Sequence, residues 1–485
     1  MSDDLKQKTV KGVSWSFVEQ VLARGVNFAT GILLARLLSP SDFGLVGMLG
    51  IFIAIAQLFI DSGLGGALVR TKNPSDNDYS TVFVINLALS FVFYALLYVI
   101  APYVASFYGQ PILKSLLRVV ALMLVIGSLS SVPGLLLTIR VDFKTKAFIS
   151  LTTSVVSGVI CIYCAYKGMG VWALVAQTLA SSLVCTIVTL LAVRWIPKLV
   201  FSRESFKNLF SYSSKMLVAS PISIIYENSY GLVIGKRFTA ADLGQYSQAG
   251  KFPGVANGII TSAVNRVSFP ILSQLQDDNE RLLRVYEKYI QLTCFLIFPL
   301  LMGICGCAKP LITFLVTDKW LACVPLMQII CFGLLANSIT TINLNLLYVK
   351  GRSDLVLRLE IIKKIIAFGI LFITMFFNIT VMCIGQAVYG FIALYLNTYY
   401  TKRILGYTFG QQIRSAAPYF GVSLIVLAEA FAFSALIPID WAALLVSLII
   451  CPVTYWYFSK ITNLYAYREA KDLITEKIPR LSSWL

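Results

Sequence analysis

The chain runs to 485 residues, 58% of them apolar and only 13% charged, with a formal net charge of +17. Soluble domains hold roughly 45–50% apolar and about 25% charged residues, so this chain cannot cover a water-facing surface and reads as an all-α integral membrane protein. It contains no histidine, which excludes Ser-His-Asp triads, Cys-His pairs and histidine zinc sites; with no G-x-x-x-x-G-K-[ST] loop either, the expectation is a transporter that is not an enzyme and holds no metal.

The segment from Met1 to Val10 is too charged for a signal-peptide core, and no small-residue cleavage site follows it. The first apolar block is therefore expected to be retained as a membrane helix. Hydrophobic blocks of helical length follow throughout, and predict about fourteen spans over 13–37, 43–68, 79–104, 112–138, 147–166, 170–193, 213–235, 243–270, 289–308, 321–349, 355–377, 379–400, 415–436 and 440–459. Alternate gaps then collect very different charge. The side opposite the termini holds only Arg36, Lys114, Arg118, Lys167, Lys236, Arg237, Lys309 and Lys319, while the side with the termini holds the remaining loop cations. By the positive-inside rule both termini are cytoplasmic. Basic residues spread over short loops in this way write topology; they are not a nucleic-acid surface.

In the first predicted helix Gln20, Arg24, Asn27 and Gly31 share one face, with Glu19 beside them. Arg24 falls near mid-membrane. The second helix carries Asp61, followed by Ser62-Gly63-Leu64-Gly65-Gly66, which reads either as a ligand group or as a helix end. Cys161-x-x-Cys164 on the fifth helix reads as apolar packing in preference to a redox pair. Residues 198–212 mix basic and apolar side chains, as an interfacial helix does. The seventh helix is broken near its centre by Tyr226-Glu227-Asn228-Ser229-Tyr230, just after Pro221. In the eighth, Lys251, Gly254, Gly258, Thr261 and Asn265 line one face, with Asn257 and Arg266 at its edge. Lys251 and Arg266 are fifteen residues apart, about 22 Å along a helix, and cannot both touch one small group. Asn86, Gln177, Asn337, Asn343, Asn345 and Gln386 read as interhelical hydrogen-bonding residues. The tail from Leu464 to Leu485 reads equally as interfacial, with Trp484 and Leu485 as anchors, or as solvated.

Ionisable groups inside membrane helices cost about 2.5–3.5 kcal/mol each on insertion scales, so they mark function or a pairing. Arg24, Lys251, Arg266, Asn27 and Asn257 are the candidate substrate-binding residues, and Glu19, Asp61 and Glu227 the candidate ion-coupling residues for H+ or Na+. The alternatives are structural. Arg24 pairs with Glu227 or Glu19, and Arg266 and Lys251 reach the two membrane interfaces with their charged ends.

The halves repeat. Ala35-Arg36-Leu37-Leu38-Ser39-Pro40-Ser41-Asp42-Phe43-Gly44 matches Gly235-Lys236-Arg237-Phe238-Thr239-Ala240-Ala241-Asp242-Leu243-Gly244 at an offset of 200, and a weaker echo sets Ile139-Arg140 against Val349-Lys350. In each copy of the first motif a Ser or Thr is placed to cap the helix that the Asp-x-Gly enters. Six predicted helices separate the copies, so the repeat is parallel, about an axis along the membrane normal. The expected plan is two pseudo-symmetric six-helix lobes, 1–200 and 201–408, an extra helix pair in 409–463, and a cytoplasmic amphipathic tail, 464–485.

Several stretches together resemble the polysaccharide transporter branch of the multidrug/oligosaccharidyl-lipid/polysaccharide (MOP) flippase superfamily. They are Leu37–Gly44, Asp61-Ser62-Gly63-Leu64-Gly65-Gly66-Ala67-Leu68-Val69, Arg140-Val141-Asp142-Phe143-Lys144 and Gly170-Val171-Trp172-Ala173-Leu174-Val175. The resemblance extends over the whole chain. It implies two six-helix lobes in a V that open alternately to each side. It also implies a Wzx-type flippase in the bacterial inner membrane, moving undecaprenyl-pyrophosphate-linked oligosaccharide for O-antigen, capsule or exopolysaccharide assembly. Its implied partners are that lipid-linked oligosaccharide, membrane lipids, and a polysaccharide polymerase with its chain-length machinery. Basic groups in a hydrated path would offset the desolvation of a pyrophosphate. Competing readings are a lipid II flippase, which shares this chemistry, and a cation-coupled multidrug efflux transporter, which calls for acidic cavity residues.

Overall fold

The computed structural model describes residues 22–61, 63–71, 74–195, 198 and 200–477. Among these every regular element is helical. The first helix, α1, covers residues 22–37. It is followed by α2 (Pro40–Asp61), α3 (Leu64–Arg70), α4 (Asp76–Tyr108), α5 (Leu113–Val120), α6 (Leu122–Ile139), α7 (Phe143–Tyr166), α8 (Val171–Val193), α9 (Arg203–Arg237) and α10 (Ala240–Gln274). Then come α11 (Asn279–Gly306), α12 (Ala308–Val316), a short 3₁₀ turn, α13 (Cys323–Val349), α14 (Ser353–Thr374), α15 (Ile379–Leu405), α16 (Phe409–Leu436), α17 (Asp440–Ile461) and α18 (Tyr465–Lys477).

Ten of the described spans are long and apolar enough to cross a membrane, and the chain is a multi-pass membrane protein. The predicted spans 13–37, 213–235, 243–270 and 355–377 fall outside that ten. The first is only partly described. The other three lie on α9, α10 and α14, of which α14 carries Arg358, Glu360, Lys363 and Lys364 within its span.

The second predicted span lies within the single candidate span Pro40–Arg70, in which Gly63, ahead of α3, takes a left-handed conformation at φ 69°. Of residues 198–212, those from Arg203 onward form the first turns of α9, capped by the Ser202 hydroxyl accepting from the Ser205 N–H at 3.3 Å. Leu209 of that stretch packs in a core with Leu64, Leu68, Phe83 and Val132, which is why the segment is drawn into the bundle.

The repeat is visible in atomic detail. Ser39 and Asp42 form a reciprocal cap at the start of α2: Ser39 Oγ donates to Asp42 Oδ2 at 2.6 Å, and the Asp42 N–H donates to Ser39 Oγ at 3.3 Å. Thr239 and Asp242 repeat it at the start of α10, with distances of 2.7 and 3.1 Å. At the weaker echo, α6 and α13 close in the same way. The N–H of Asp142 returns to the Leu137 carbonyl and that of Arg352 to the Leu347 carbonyl, each at 2.9 Å, across a left-handed residue, Val141 or Gly351.

The chain divides into two compact units, the first ending at Gly244 and the second starting at Gln245. In the first, α8 packs on α6 and α7, α4 on α6, and α9 on α2. In the second, α13 packs on α15 and α11, and α11 on α16. Inside a bilayer no water is displaced when helices meet, so close packing and interhelical hydrogen bonds hold them. The second unit has both. Gly306 of α11 lies where a Cβ would come within 2.9 Å of the Leu427 main-chain oxygen of α16. A fully buried polar knot ties four helices: Asn343 Oδ1 of α13 accepts from Tyr286 of α11, from Thr401 of α15 at 2.7 Å and from Gln412 of α16 at 3.0 Å. The helix pair after 408 is therefore fastened into the second unit through α16.

Helix α18 docks on the second unit, with Leu464, Ala466 and Tyr467 buried and the Ala466 N–H donating to the Tyr419 hydroxyl at 3.3 Å. Trp484 and Leu485, the suggested anchors, lie outside the described residues.

Candidate functional site

Helix α1 seats its Thr30 against Gly158 of α7. That rotation leaves Arg24 exposed and turns Asn27 towards a cavity of about 680 Å³ within the first unit. The cavity runs between α6, α7 and α8, and neutral polar groups share its wall with Met123, Leu137, Ile149 and Cys185. Asn27, Gln57, Ser130, Ser150, Thr153, Ser154, Ser157, Gln177, Thr178, Ser181, Ser182 and Thr189 all line it, with Lys146 as its one charged residue among those described. Gln57 also donates to Asp61 Oδ1 at 3.1 Å. Asn27 and Asp61 thus belong to one region of the first unit, with Asp61 at the helix end that its Gly-rich sequel suggested. Glu227 is exposed on α9. Glu19 lies outside the described residues.

On α10, Lys251 is half-buried and Arg266 exposed. No ion pair among the described residues involves Arg24, Lys251 or Arg266. Asn257 is different: it is 7% exposed, and its amide oxygen accepts from Ser338 of α13 at 3.3 Å and from Thr261 at 3.4 Å. That makes it a packing contact between α10 and α13. The other amides behave as read. Asn86 donates to Ser131 at 3.4 Å, Asn345 to Asn265 at 2.8 Å, and Gln386 accepts from Tyr246 at 3.1 Å. Gln177 instead faces the polar cavity, and Asn337 is exposed. Cys161 is buried with its thiol on the Ala173 carbonyl, a packing role.

One charged pair escaped the sequence reading. Lys363 is 4% exposed, ten residues into α14, and donates to Glu360 at 2.5 Å. Its neighbours Arg358 and Lys364 made it look like one more loop cation; the i, i+3 spacing of Glu360 and Lys363 was the available signal. A second cavity, of about 430 Å³ and lined by residues such as Leu300, Leu311, Leu448, Pro452 and Trp456, is almost wholly apolar. It offers nothing to a hydrated head group.

A helical membrane bundle of duplicated halves, with a polar interior cavity and buried or half-buried cations, is the build of a transporter for a polar substrate. The fold agrees with known transporters. A lipid II flippase MurJ in an inward closed conformation superposes with a TM-score of 0.76 at 15% identity, over 95% of this chain and 99% of that one. An inward-facing multidrug resistance MATE family transporter of the MOP superfamily gives 0.61 at 16% identity, over 80% and 95%. At these identities the likeness is one of fold.

The model of the family described as "Polysaccharide biosynthesis protein" matches residues 33–325, and the chain belongs to that family. It is 30% identical to the succinoglycan biosynthesis transport protein ExoT of Rhizobium meliloti (strain 1021), over 72% of this chain and 71% of that protein. It is 25% identical to the teichuronic acid biosynthesis protein TuaB of Bacillus subtilis (strain 168), over 72% and 73%. The lipopolysaccharide biosynthesis protein WzxC of Escherichia coli (strain K12) is 23% identical, over 74% and 73%.

Proposed function

We propose that this protein carries an undecaprenyl-pyrophosphate-linked oligosaccharide from the cytoplasmic to the outer leaflet of a bacterial inner membrane by alternating access, with both termini cytoplasmic. The observation that carries the proposal is kinship with proteins named for succinoglycan, teichuronic acid and lipopolysaccharide biosynthesis, one of them as a transport protein. The chemistry of the chain suits such a cargo. A pyrophosphate must lose water to cross a layer of low dielectric, and fixed cations offset that loss. Arg24, Lys251 and Arg266 are free of carboxylate partners among the described residues, and the last two differ in depth by about 22 Å along α10. They are proposed to hold the head group in turn, while the prenyl tail stays in lipid. Asp61 and Glu227 are proposed coupling groups for H+ or Na+. The residue plan 1–200, 201–408 and 409–463 describes the two six-helix repeats and the added pair in this scheme. The drug-cation alternative has less support, because no carboxylate lines the cavity of the first unit among the described residues.

The test is export. Arg24→Ala and Lys251→Ala are each expected to lower surface polysaccharide at least tenfold at an unchanged amount of membrane-inserted protein. Parental polysaccharide levels in both variants would remove the role of these cations.

A further inference from the structure

We infer that the hydroxyl-lined cavity inside the first unit binds the uncharged sugar portion of the transported lipid, apart from the groups that hold its phosphates; the inference rests on the flippase reading above. Three observations carry it: what lines the cavity, how its hydrogen-bonding capacity is already spent, and its dimensions.

Among the described residues the lining contains no carboxylate and no arginine, and one lysine, Lys146, whose ammonium lies 3.4 Å from the Thr138 hydroxyl. A cation finds no counter-charge along the wall, and an anion finds only that single lysine. The complementary ligand is neutral and polar.

Several wall hydroxyls have already committed their protons. Ser130 donates to the Gly127 carbonyl at 3.0 Å, Thr178 to that of Leu174 at 3.0 Å, and Ser182 across to Met123 of α6 at 3.1 Å. Their oxygens therefore face the cavity as acceptors. Thr153 is 8% exposed, and its hydroxyl has no partner among the described residues. Leaving a buried polar group unpaired costs about 1–3 kcal/mol, so this position awaits a ligand atom or water. A ligand rich in hydroxyl donors, as a glycan is, satisfies an acceptor-rich wall of this kind.

The dimensions also fit. Lys146 to Ser157 on α7 spans eleven residues and Gln177 to Thr189 on α8 spans twelve, so the polar track is about 16–18 Å long at a rise of 1.5 Å per residue. Its volume, about 680 Å³, lies within the range of about 300–1,000 Å³ usual for ligand pockets. It has the proportions of a short oligosaccharide.

The experiment uses the full-length protein in cells whose own copy of the gene is deleted. Thr153→Val with Thr178→Val removes two hydroxyls at constant shape; Ser154→Leu fills the space. Export is scored as surface polysaccharide per membrane-inserted protein, and each protein is also purified in nanodiscs with either bare undecaprenyl pyrophosphate or the lipid-linked glycan that accumulates in the deletion strain. Both variants are expected to cut export at least fivefold and to lose preference for the glycan-bearing lipid, while binding the bare carrier as the parent does. Wild-type export by the double Val variant, together with an unchanged preference for the glycan-bearing lipid, overturns the sugar site alone. Should deletion of the gene leave surface polysaccharide at its parental level, the flippase reading falls and the sugar site falls with it.

Discussion

Gly44 lies against the main-chain oxygen of Ala240, so close that a Cβ at Gly44 would fall 1.6 Å from it. At the repeat offset of 200 the roles exchange, and Gly244 lies against Pro40, where a Cβ would fall 1.9 Å from the main-chain oxygen. The contact is reciprocal, each motif copy offering its glycine to the other's first helical turn. Such reciprocity is what a two-fold relation between duplicated segments produces, and it explains why Asp-x-Gly is kept in both copies of the motif.

Gly44→Ala and Gly244→Ala are therefore expected to be strongly destabilising. The obstacle is backbone, not a flexible side-chain tip, so the two helix starts must separate. A cost of about 3 kcal/mol or more is expected, at or beyond the upper end for overpacked cores. Gly369→Ala on α14, where no atom lies within 4 Å of the new Cβ, is the control and should be neutral or slightly stabilising. Thermal unfolding of the purified proteins in detergent measures both. Equal melting of all three variants would show that the two motif copies can part freely.

The second echo of the repeat yields a milder prediction. Val141 occupies the left-handed region at φ 58°, whereas its counterpart Gly351 does so at φ 66° without a Cβ. A β-branched residue there is strained, by about 1–2 kcal/mol. Val141 is also exposed, so little packing is lost on removing it. Val141→Gly should raise stability by about 1 kcal/mol, and Gly351→Val should lower it by a similar amount; urea or thermal titration of the pair in one detergent reads the difference.

Much of the architecture was legible in the chain, because period and length survive any tertiary context. The Ser39–Asp42 and Thr239–Asp242 caps depend only on local spacing, and the amide contacts of Asn86, Asn345 and Gln386 follow from the cost of an unpaired amide in lipid. What stayed hidden depends on rotation and on neighbours. The charge of Lys363 looked like a loop because its half-buried partner Glu360 has meaning only once α14 is packed. Asn257 carried the spacing of a ligand, yet Ser338 from α13 claims its oxygen. The polar cavity was invisible for the converse reason: Ser and Thr are scattered through α6, α7 and α8 at spacings that look unremarkable on each helix, and they become one wall only when three helices align. The docking of α18 likewise required Tyr419, far away in sequence, and Trp456 of the preceding helix to receive it.

The last prediction concerns that docked helix. Lys288 of α11 donates to Glu469 of α18 at 2.6 Å, and the Tyr465 hydroxyl donates to the other carboxylate oxygen at 2.6 Å. These two hydrogen bonds hold the Glu469 carboxyl below its ordinary value of 4.5. A carboxylate whose folded value is depressed contributes stability that is complete above the unfolded value, near 4.5, and is lost as the pH falls through the lower, folded value. The pair is about one-third exposed on each side, so solvent screens it and its worth is about 1 kcal/mol or less. Hydrogen exchange of the α18 amides, corrected for intrinsic rate, should therefore quicken by about two- to fivefold between pH 6 and pH 3.5. Glu469→Gln should show the quickened exchange already at pH 6 and no further change on acidification. Unchanged protection in that variant would mean that the burial of Leu464, Ala466 and Tyr467 alone holds the helix, with the ion pair contributing nothing to its docking.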